Sequence, residues 1–557
     1  MGSAGHRHIS LRELLCTEND WRLALPRDDM ELACQQLLVA LVQVLWAPSN
    51  KQEWRQRRDQ PLADVDFNAG IAQGKKWFDL EESEHPFMQR KEIKVPATTQ
   101  IAEEEEQPTP EQSLKKKSKK VEAEPTTPIQ KLFAGLPAGN SHAFFNRGGM
   151  KSPPDEISAV CPGCAAMALF NQCTNAPNIS GRHKGGLRGS APVCTMVWDA
   201  NLRKRIWCNV LHQQSLSAQC SLAMAEEAEN DPVWVKPIKA EDKIHVGQIG
   251  LARGLFWTPI LVRLIAEHQP RECDCCGLPT QQVYRGLMLG ADFKFEVKAD
   301  KDRWPHPWTP REAYKPKKSK KNEDTGDRKP PAQGPLWNYV SFKTSAPAWT
   351  QCSQYLFEKK IAEGEGGNTP APVVTQFQSD SYDPLQLSVG GYRTDQASVL
   401  QRRHELIALP AQWQSEATDY LQDAVRIGLT ALDKLKSVLG GVSKGIKDYR
   451  LSRGDKIKVK GLGLNLSAIA EQRYYVRTEA LMLDALSRWT AQEDQALRQT
   501  LIEALRKVCT NLFDEQVAPY RHEPELIRLL AIHKSRLRTA LEKLTAAEKP
   551  VEEKANP

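Results

Sequence analysis

Apolar positions recur with helical spacing at both ends of the chain and in much shorter, strand-like runs between them. Near the start, LRELL is followed by DDMELACQQLLVALVQVLW, whose apolar residues fall three and four apart. Asp28 and Asp29 open that run, and acidic side chains favour a helix N-terminus, where backbone N–H groups lack partners. A core helix is expected there. From about residue 129 to 300 the apolar runs are short, VCTMVWDA and FKFEV among them, and predict strands joined by loops as far as Gly391.

Beyond Arg393 long amphipathic stretches return. Proline is tolerated at a helix start but not inside one, so Pro410 places the first long helix from near Gln412. Leu421, Val425, Leu429, Leu432 and Leu435 form its stripe, and Gly440-Gly441 reads as its stop. A second helix is expected over Ser467 to Trp489. A third opens at the capping-box pattern Thr490-x-x-Glu493, with Leu497, Leu501, Leu505, Val508 and Leu512 on one face. The fourth, about Pro524 to Ala547, carries Leu526, Leu530, Leu537 and Leu541, leaving Arg528, Lys534, Arg536 and Arg538 for other faces. Short connections predict an antiparallel four-helix bundle. The expected fold class is α+β: a large mixed N-terminal domain over 1–400, a bundle over 401–548 and a disordered tail at 549–557.

Composition changes this picture in two places. Glu103 to Glu106 and the LKKKSKK run ending at Lys120 lie in a stretch near 95–128 with few apolar residues, and a basic, Pro-rich stretch covers 314–331. Like-charge blocks cannot offset the entropy of ordering, so both predict exposed inserts, the first of them disordered. Net charge is +7, a mild excess that suits nucleic acid only if it is gathered into a patch. The longest apolar run, Leu37 to Ala47, is broken by Gln43 and is far below the roughly 20 residues of a membrane span. With no apolar leader at the start, a cytoplasmic protein free of membrane is expected.

Most of the 13 cysteines stand alone among apolar residues, as reduced thiols do. Two clusters differ. Cys161 and Cys164 form one Cys-x-x-Cys pair, and Cys273-Asp274-Cys275-Cys276 supplies another through Cys273 and Cys276. Two such pairs can close a tetrahedral thiolate site for structural zinc, each gripping the ion from one tight turn. The 108 intervening residues exceed the spacing of compact zinc ribbons, which leaves free buried thiols as the alternative and Cys275 as a competitor.

Around the first pair, the loop from Asn178 to Gly189 holds Arg182, Lys184, Arg188 and four glycines, a composition that lets backbone approach phosphate but is also that of a surface turn. A second Gly-led segment, Gly390 to Gln396, is expected to run into a helix-like stretch with Arg402 and Arg403. Its Tyr392, Arg393 and Gln396 are candidates for stacking on or bonding to bases, against a turn that caps the bundle. No nucleophile elbow, zinc-protease, kinase or helicase pattern is present. Cys161 and His183 are a thiol and a base with nothing in the sequence to bring them together.

Taken in order, SLRELL, WRLALPRDDMELA, HPFMQ, HAFFNRGG, CPGCAAMALFNQ, KGGLRG, GLFWTP, CDCCG, WPHPWTP, FKTSAPAWTQ, GGYRTDQASVLQRRHE and FDEQVAPYRHEPELI closely resemble the CasA-type large subunit of the type I-E CRISPR surveillance complex, Cascade. The resemblance runs from residue 9 to about 545. It implies a non-catalytic subunit that sits at the 5′ handle of the guide RNA, reads a short motif in double-stranded target DNA and promotes strand opening and R-loop formation. It also implies a helicase-nuclease recruited on target binding, and contacts with the backbone, 5′-handle-binding and small subunits. Guide pairing reads the target sequence while protein reads the short duplex motif.

Position by position, the resemblance makes Phe144, Phe145 and Asn146 the guide-handle loop and Cys161, Cys164, Cys273 and Cys276 zinc ligands. Asp395 and Gln396 become the strand wedge, and Ser180, Gly181, Arg182, Lys184 and Lys294 the motif readers. Ser180, Gly181 and Arg182 stand where relatives have consecutive glycines. Ala291 and Asp292 occupy the region of the family's minor-groove lysine, and Asp395 replaces an asparagine. The motif preference is therefore not transferred. Rival readings are a zinc-stabilised RNA-binding scaffold outside CRISPR and a metal- or thiol-dependent hydrolase. A full thiolate shell argues against the hydrolase, because a catalytic zinc keeps an open position.

Overall fold

The structure is a computed structural model that describes residues 5–74, 77–82, 84–93, 126–136, 157–181, 183–290, 293–299, 302–314, 336–361, 366–381, 383–395, 397–410, 417–453 and 465–544. Phe144, Phe145, Asn146, Arg182 and Gln396 lie outside these residues, as do the charged inserts except at their ends. The chain forms two compact units that interleave in sequence. One comprises 1–343, 358–380 and 388–404, and the other 344–357, 381–387 and 405–557. None of the described helices is long and apolar enough to cross a membrane.

The first unit mixes helices with small sheets. Its central helix, Asp28–Leu45, has Asp28, Asp29 and Glu31 in its first turn, as its sequence predicts, and buries Met30, Leu32, Ala33, Leu37, Val39, Val42 and Leu45. It packs on the helix Pro162–Thr174. Val283–Leu289 is the middle strand of an antiparallel sheet, between Val262–Glu267 and the short edge Thr127–Pro128. That edge lies inside the stretch expected to be a charged insert. Pro128 can end such a stretch because proline is accepted on a sheet edge.

A second correction concerns Gly390 to Gln396. Gly390 to Asp395 end the first strand of a β-hairpin, Leu385–Asp395 with Ser398–Leu409, and Cys194–Val197 pairs with that first strand. The expected helix-like stretch with Arg402 and Arg403 is its second strand. SVLQRRHELIAL lacks continuous alternation, yet Val399, Ile407 and Leu409 are buried, so strand pairing overrides the local pattern. Gly391 is required as glycine: its φ is +145°, and a Cβ would sit 2.7 Å from the Pro192 carbonyl oxygen.

The second unit contains four long helices, Thr418–Ser452, Leu466–Ser487, Asp494–Val517 and Pro524–Glu542. The first packs against each of the others, and the third also meets the second and fourth. Leu421, Leu432, Leu435, Leu501, Leu505, Leu512, Leu526, Leu530, Leu537 and Leu541 are buried, as the stripes predict.

Two expected boundaries fail. Gly440-Gly441 does not stop the first helix, because Val442 and Ile446 beyond it are buried and offset the roughly 1 kcal/mol that a helical glycine costs. A Cβ on Gly441 would stand 2.5 Å from His533 Cε1, so glycine is what lets the first and fourth helices approach. Nor does the capping box form. The Glu493 N–H bonds to the Thr490 carbonyl at 3.1 Å in a turn, and the third helix starts at Asp494 with no side-chain cap.

Candidate metal centre and nucleic-acid interface

Each cysteine pair is built by a different local device. Cys161 is the residue before helix Pro162–Thr174, with Pro162 in the first turn, so Cys164 is carried round to the same side. Cys273 to Cys276 lie in a tight turn between the paired dipeptides Arg271–Glu272 and Pro279–Thr280. Gly277 closes that turn at φ +72°, its N–H bonding to the Cys273 carbonyl at 2.8 Å, while the Cys273 N–H bonds to Leu278 O at 3.0 Å.

Tertiary structure then brings the pairs together. Val160 bridges Tyr284 in antiparallel fashion, and the Asp274 N–H bonds to Ala159 O at 3.0 Å. Asp274 Oδ2 accepts from the Ser158 N–H and hydroxyl, both at 2.8 Å, and from the Ala159 N–H at 2.9 Å, while Oδ1 pairs with Arg271 at 2.8 Å. Burial opposes ionisation of Asp274, but these bonds outweigh it and hold the carboxyl below its usual range. The aspartate inside the second cluster is thus a clip for the segment that leads into the first. Its signal was visible as the charged residue within CDCC, and its partners were not.

All four Sγ atoms of Cys161, Cys164, Cys273 and Cys276 are buried and lie within 4.8 Å of one another. A tetrahedral ion with bonds of about 2.3 Å would separate its sulfurs by about 3.8 Å, and Cys161 Sγ is 3.9 Å from Cys276 Sγ. The cluster fits a zinc site and can hold a metal ion. Cys275, buried beside it, is not among the four. Hydrogen bonds from the Cys161 and Cys164 thiols, aided by the Cys161 and Cys276 N–H groups, hold Cys273 well below the ordinary thiol range despite its burial. Cys161 N to Cys273 Sγ is 3.2 Å.

The chain leaving the first pair forms the loop over residues 178–190, where the cations divide. Arg188 is 4% exposed and reaches Thr309 Oγ1 at 2.8 Å, Cys194 Sγ at 3.0 Å, Thr174 O at 3.0 Å and Asn175 Oδ1 at 2.8 Å. It anchors the loop from inside and is not a phosphate contact. Lys184 is exposed. His183, beside it, is buried, with Nδ1 2.9 Å from Ser180 Oγ, and bridges Phe293 in parallel register. Lys184 and Lys294, both exposed, are the residues that follow the bridged pair on the two segments.

Tyr392 departs from expectation too. At 1% exposure it is core, its hydroxyl donating to Asp29 Oδ2 at 2.8 Å and accepting from Asn171 Nδ2 at 2.6 Å, so it cannot stack on a base. Arg402 pairs with Asp28 at 3.2 Å and Arg403 lies 4.2 Å over the Phe342 ring. Asp395 is exposed at the end of the first hairpin strand.

One buried cluster has the residue types of a hydrolytic triad. Asp380 Oδ2 is 2.8 Å from His212 Nε2, but Ser215 Oγ, at 3.3 Å, faces that same nitrogen. Nδ1 accepts the Ser215 N–H at 3.1 Å as a helix cap. A relay needs the acid and the hydroxyl on opposite nitrogens, so this is a clamped helix start.

The sequence model of CRISPR-associated protein Cse1 matches residues 2–512. The chain belongs to the Cse1 family. Its fold is similar to that of Cse1 structures at low sequence identity. Thermus thermophilus CasA (Cse1) superposes with a TM-score of 0.59 at 16% identity, covering 93% of this chain and 92% of that one. Thermobifida fusca Cse1 gives 0.62 at 16% identity, over 94% and 92%. A chain of a CRISPR RNA-guided surveillance complex gives 0.60 at 14% identity, over 96% of each. At these identities the likeness speaks for the fold, and Cse1 membership rests on the sequence match.

Proposed function

We propose that this Cse1-family chain is the non-catalytic large subunit of a type I-E, RNA-guided DNA surveillance complex. It reads the target-adjacent motif in duplex DNA, starts strand opening and recruits the helicase-nuclease. The observation that supports this reading is the His183–Phe293 bridge, whose following residues on the two segments are the exposed Lys184 and Lys294. Two exposed lysines beside a Gly-containing loop suit a phosphate-flanked groove, and the lysines supply affinity while close backbone approach supplies readout. Pro192, just beyond that loop, lies against Gly391 of the hairpin strand that ends at Asp395, so the reader loop and Asp395 of the wedge share one support.

In this reading zinc fills the four-cysteine site as a structural ion, and Cys161, Cys164, Cys273 and Cys276 would hold it. The residues from 401 to 548 act as an antiparallel four-helix bundle whose basic face supports DNA, beyond a recognition domain over 1–400 and before a tail at 549–557. Phe144, Phe145 and Asn146 contact the 5′ handle of the guide. Companion subunits and guide RNA are the partners, and the complex works in the cytoplasm. Four cysteines converging on one point leave no open position for a metal-bound water, which favours this over a metal-dependent hydrolase.

Wedging replaces one base-pair stack, about 1.4 kcal/mol or roughly tenfold. In the assembled complex, Gln396→Ala should lower target opening, read by permanganate reactivity of unpaired thymines, by about that factor. Guide-RNA assembly should be unchanged. Equal loss of both overturns the wedge role.

A further inference from the structure

The four thiols have a neighbour from a third part of the chain. His8 Nε2 lies 3.6 Å from Cys276 Sγ and 4.0 Å from Cys161 Sγ, one cysteine from each pair. Those two sulfurs are 3.9 Å apart, so the imidazole straddles the edge where the two halves of the site meet. We propose that His8 is a positioning residue of the metal centre, donating an Nε2–H hydrogen bond to the Cys276 and Cys161 thiolates and thereby fastening the N-terminal segment to the ion. The proposal rests on the metal-centre reading.

The chemistry asks for such a donor. Four thiolates around a divalent cation leave two negative charges in a buried site, and N–H donors aimed at sulfur disperse that charge and slow ligand loss. The Cys161 N–H already serves Cys273. His8 adds a side-chain donor on the outer edge. It is itself exposed, so its contribution lies in the sulfur contact and not in packing.

Among the described residues, the segment around it has a few further ties. Arg7 stacks on Trp21 with its guanidinium carbon 4.8 Å from the ring and pairs with Glu13, and Ser10 Oγ caps the helix Leu11–Cys16 through the Glu13 N–H at 3.1 Å. His8 ties this arm to cysteines more than a hundred residues away. Metal loading then controls the order of residues 8–10.

The test uses the full-length protein loaded with zinc or cobalt(II). Metal content of the wild type and the cobalt–thiolate absorption measure the centre itself. Release to a chelator measures His8. His8→Ala should keep one ion and the four-thiolate spectrum while releasing metal about tenfold faster. His8→Gln, whose amide nitrogen can take the place of Nε2, should restore most of the wild-type rate. Stripping the metal should speed amide exchange at residues 8–10 in the wild type and leave it unchanged in His8→Ala. Equal release rates from loaded wild type and His8→Ala overturn the role of His8 alone, as does a cobalt spectrum that loses a thiolate signature in favour of nitrogen. A wild type that binds no metal overturns the centre and this proposal together.

Discussion

The metal centre and the loop at 178–190 are built from the same kind of sequence, glycines and reactive or charged side chains at short spacing, yet they direct their chemistry oppositely. At the metal centre every chemical group turns inward. Four thiols converge, Asp274 accepts three hydrogen bonds from the facing segment at Ser158 and Ala159, and Gly277 takes the one backbone angle a bulkier residue resists. In the loop the groups divide. Arg188 and His183 turn inward and hold the shape, while Lys184 turns out. A cation's neighbours decide its role, and four residues of sequence separate a structural guanidinium from a free-facing ammonium.

Breaking the first region should have the largest effect. Cys276→Ser removes one ligand of a site that joins segments otherwise far apart, so metal content should fall toward zero and the first unit should lose about 4 kcal/mol or more. Elemental analysis with chemical unfolding checks both. Retained metal at unchanged stability would mean that hydrogen bonds such as those of Asp274 suffice.

The contrast inside the loop predicts a smaller and more selective effect. Arg188→Met leaves Thr174 O and Asn175 Oδ1 without their buried donor and should cost about 2–4 kcal/mol in unfolding experiments. Lys184→Ala should stay within about 0.5 kcal/mol of wild type. It should instead weaken binding of the assembled complex to motif-bearing duplex and reduce the salt slope by about one. Reversal of that order would exchange the roles given to the two cations.

The mildest test is pH, through the residues that back Arg188. His306 is fully enclosed between Trp304 and Trp308, with Thr309 Oγ1 at 3.5 Å and Arg188 as the nearby charge. Burial first, then the Arg188 guanidinium, push its pKa well below the usual 6.5. The folded state therefore keeps His306 neutral while the unfolded chain protonates it. Stability is unaffected above pH about 6.5 and lost as pH falls below it, by at most about 1.4 kcal/mol per unit. Urea midpoints at pH 7.5 and 5.5 should converge between wild type and His306→Phe. An equal acid slope in both would place the titration elsewhere.

How much was legible follows from range. Helices with strong periodicity appear where expected because burial of one face is a local property of sequence. Their ends do not: Gly440-Gly441 carries every local mark of a stop, and contacts with the fourth helix carry the chain through it. Tyr392 and Arg188 read as exposed ligand contacts because their loops are glycine-rich, but their partners, Asp29, Asn171 and Thr309, come from remote segments. The hairpin at 385–409 was hidden for the same reason, since its cross-strand neighbours decide it.

The sequence by itself determined the ligand types of the candidate metal centre, their grouping into two Cys-x-x-Cys pairs and the membership of the chain in the Cse1 family, because each rests on short-range pattern or ordered motifs, although the first pair is presented by a helix start and not by the expected tight turn. Only the tertiary structure decided that the pairs meet, that Cys276 and not Cys275 joins them, that Asp274 clips the halves together and that His8 reaches their edge. It also decided which cations face outward. Those outcomes depend on burial and on hydrogen bonds between segments a hundred residues apart, and no local spacing encodes them.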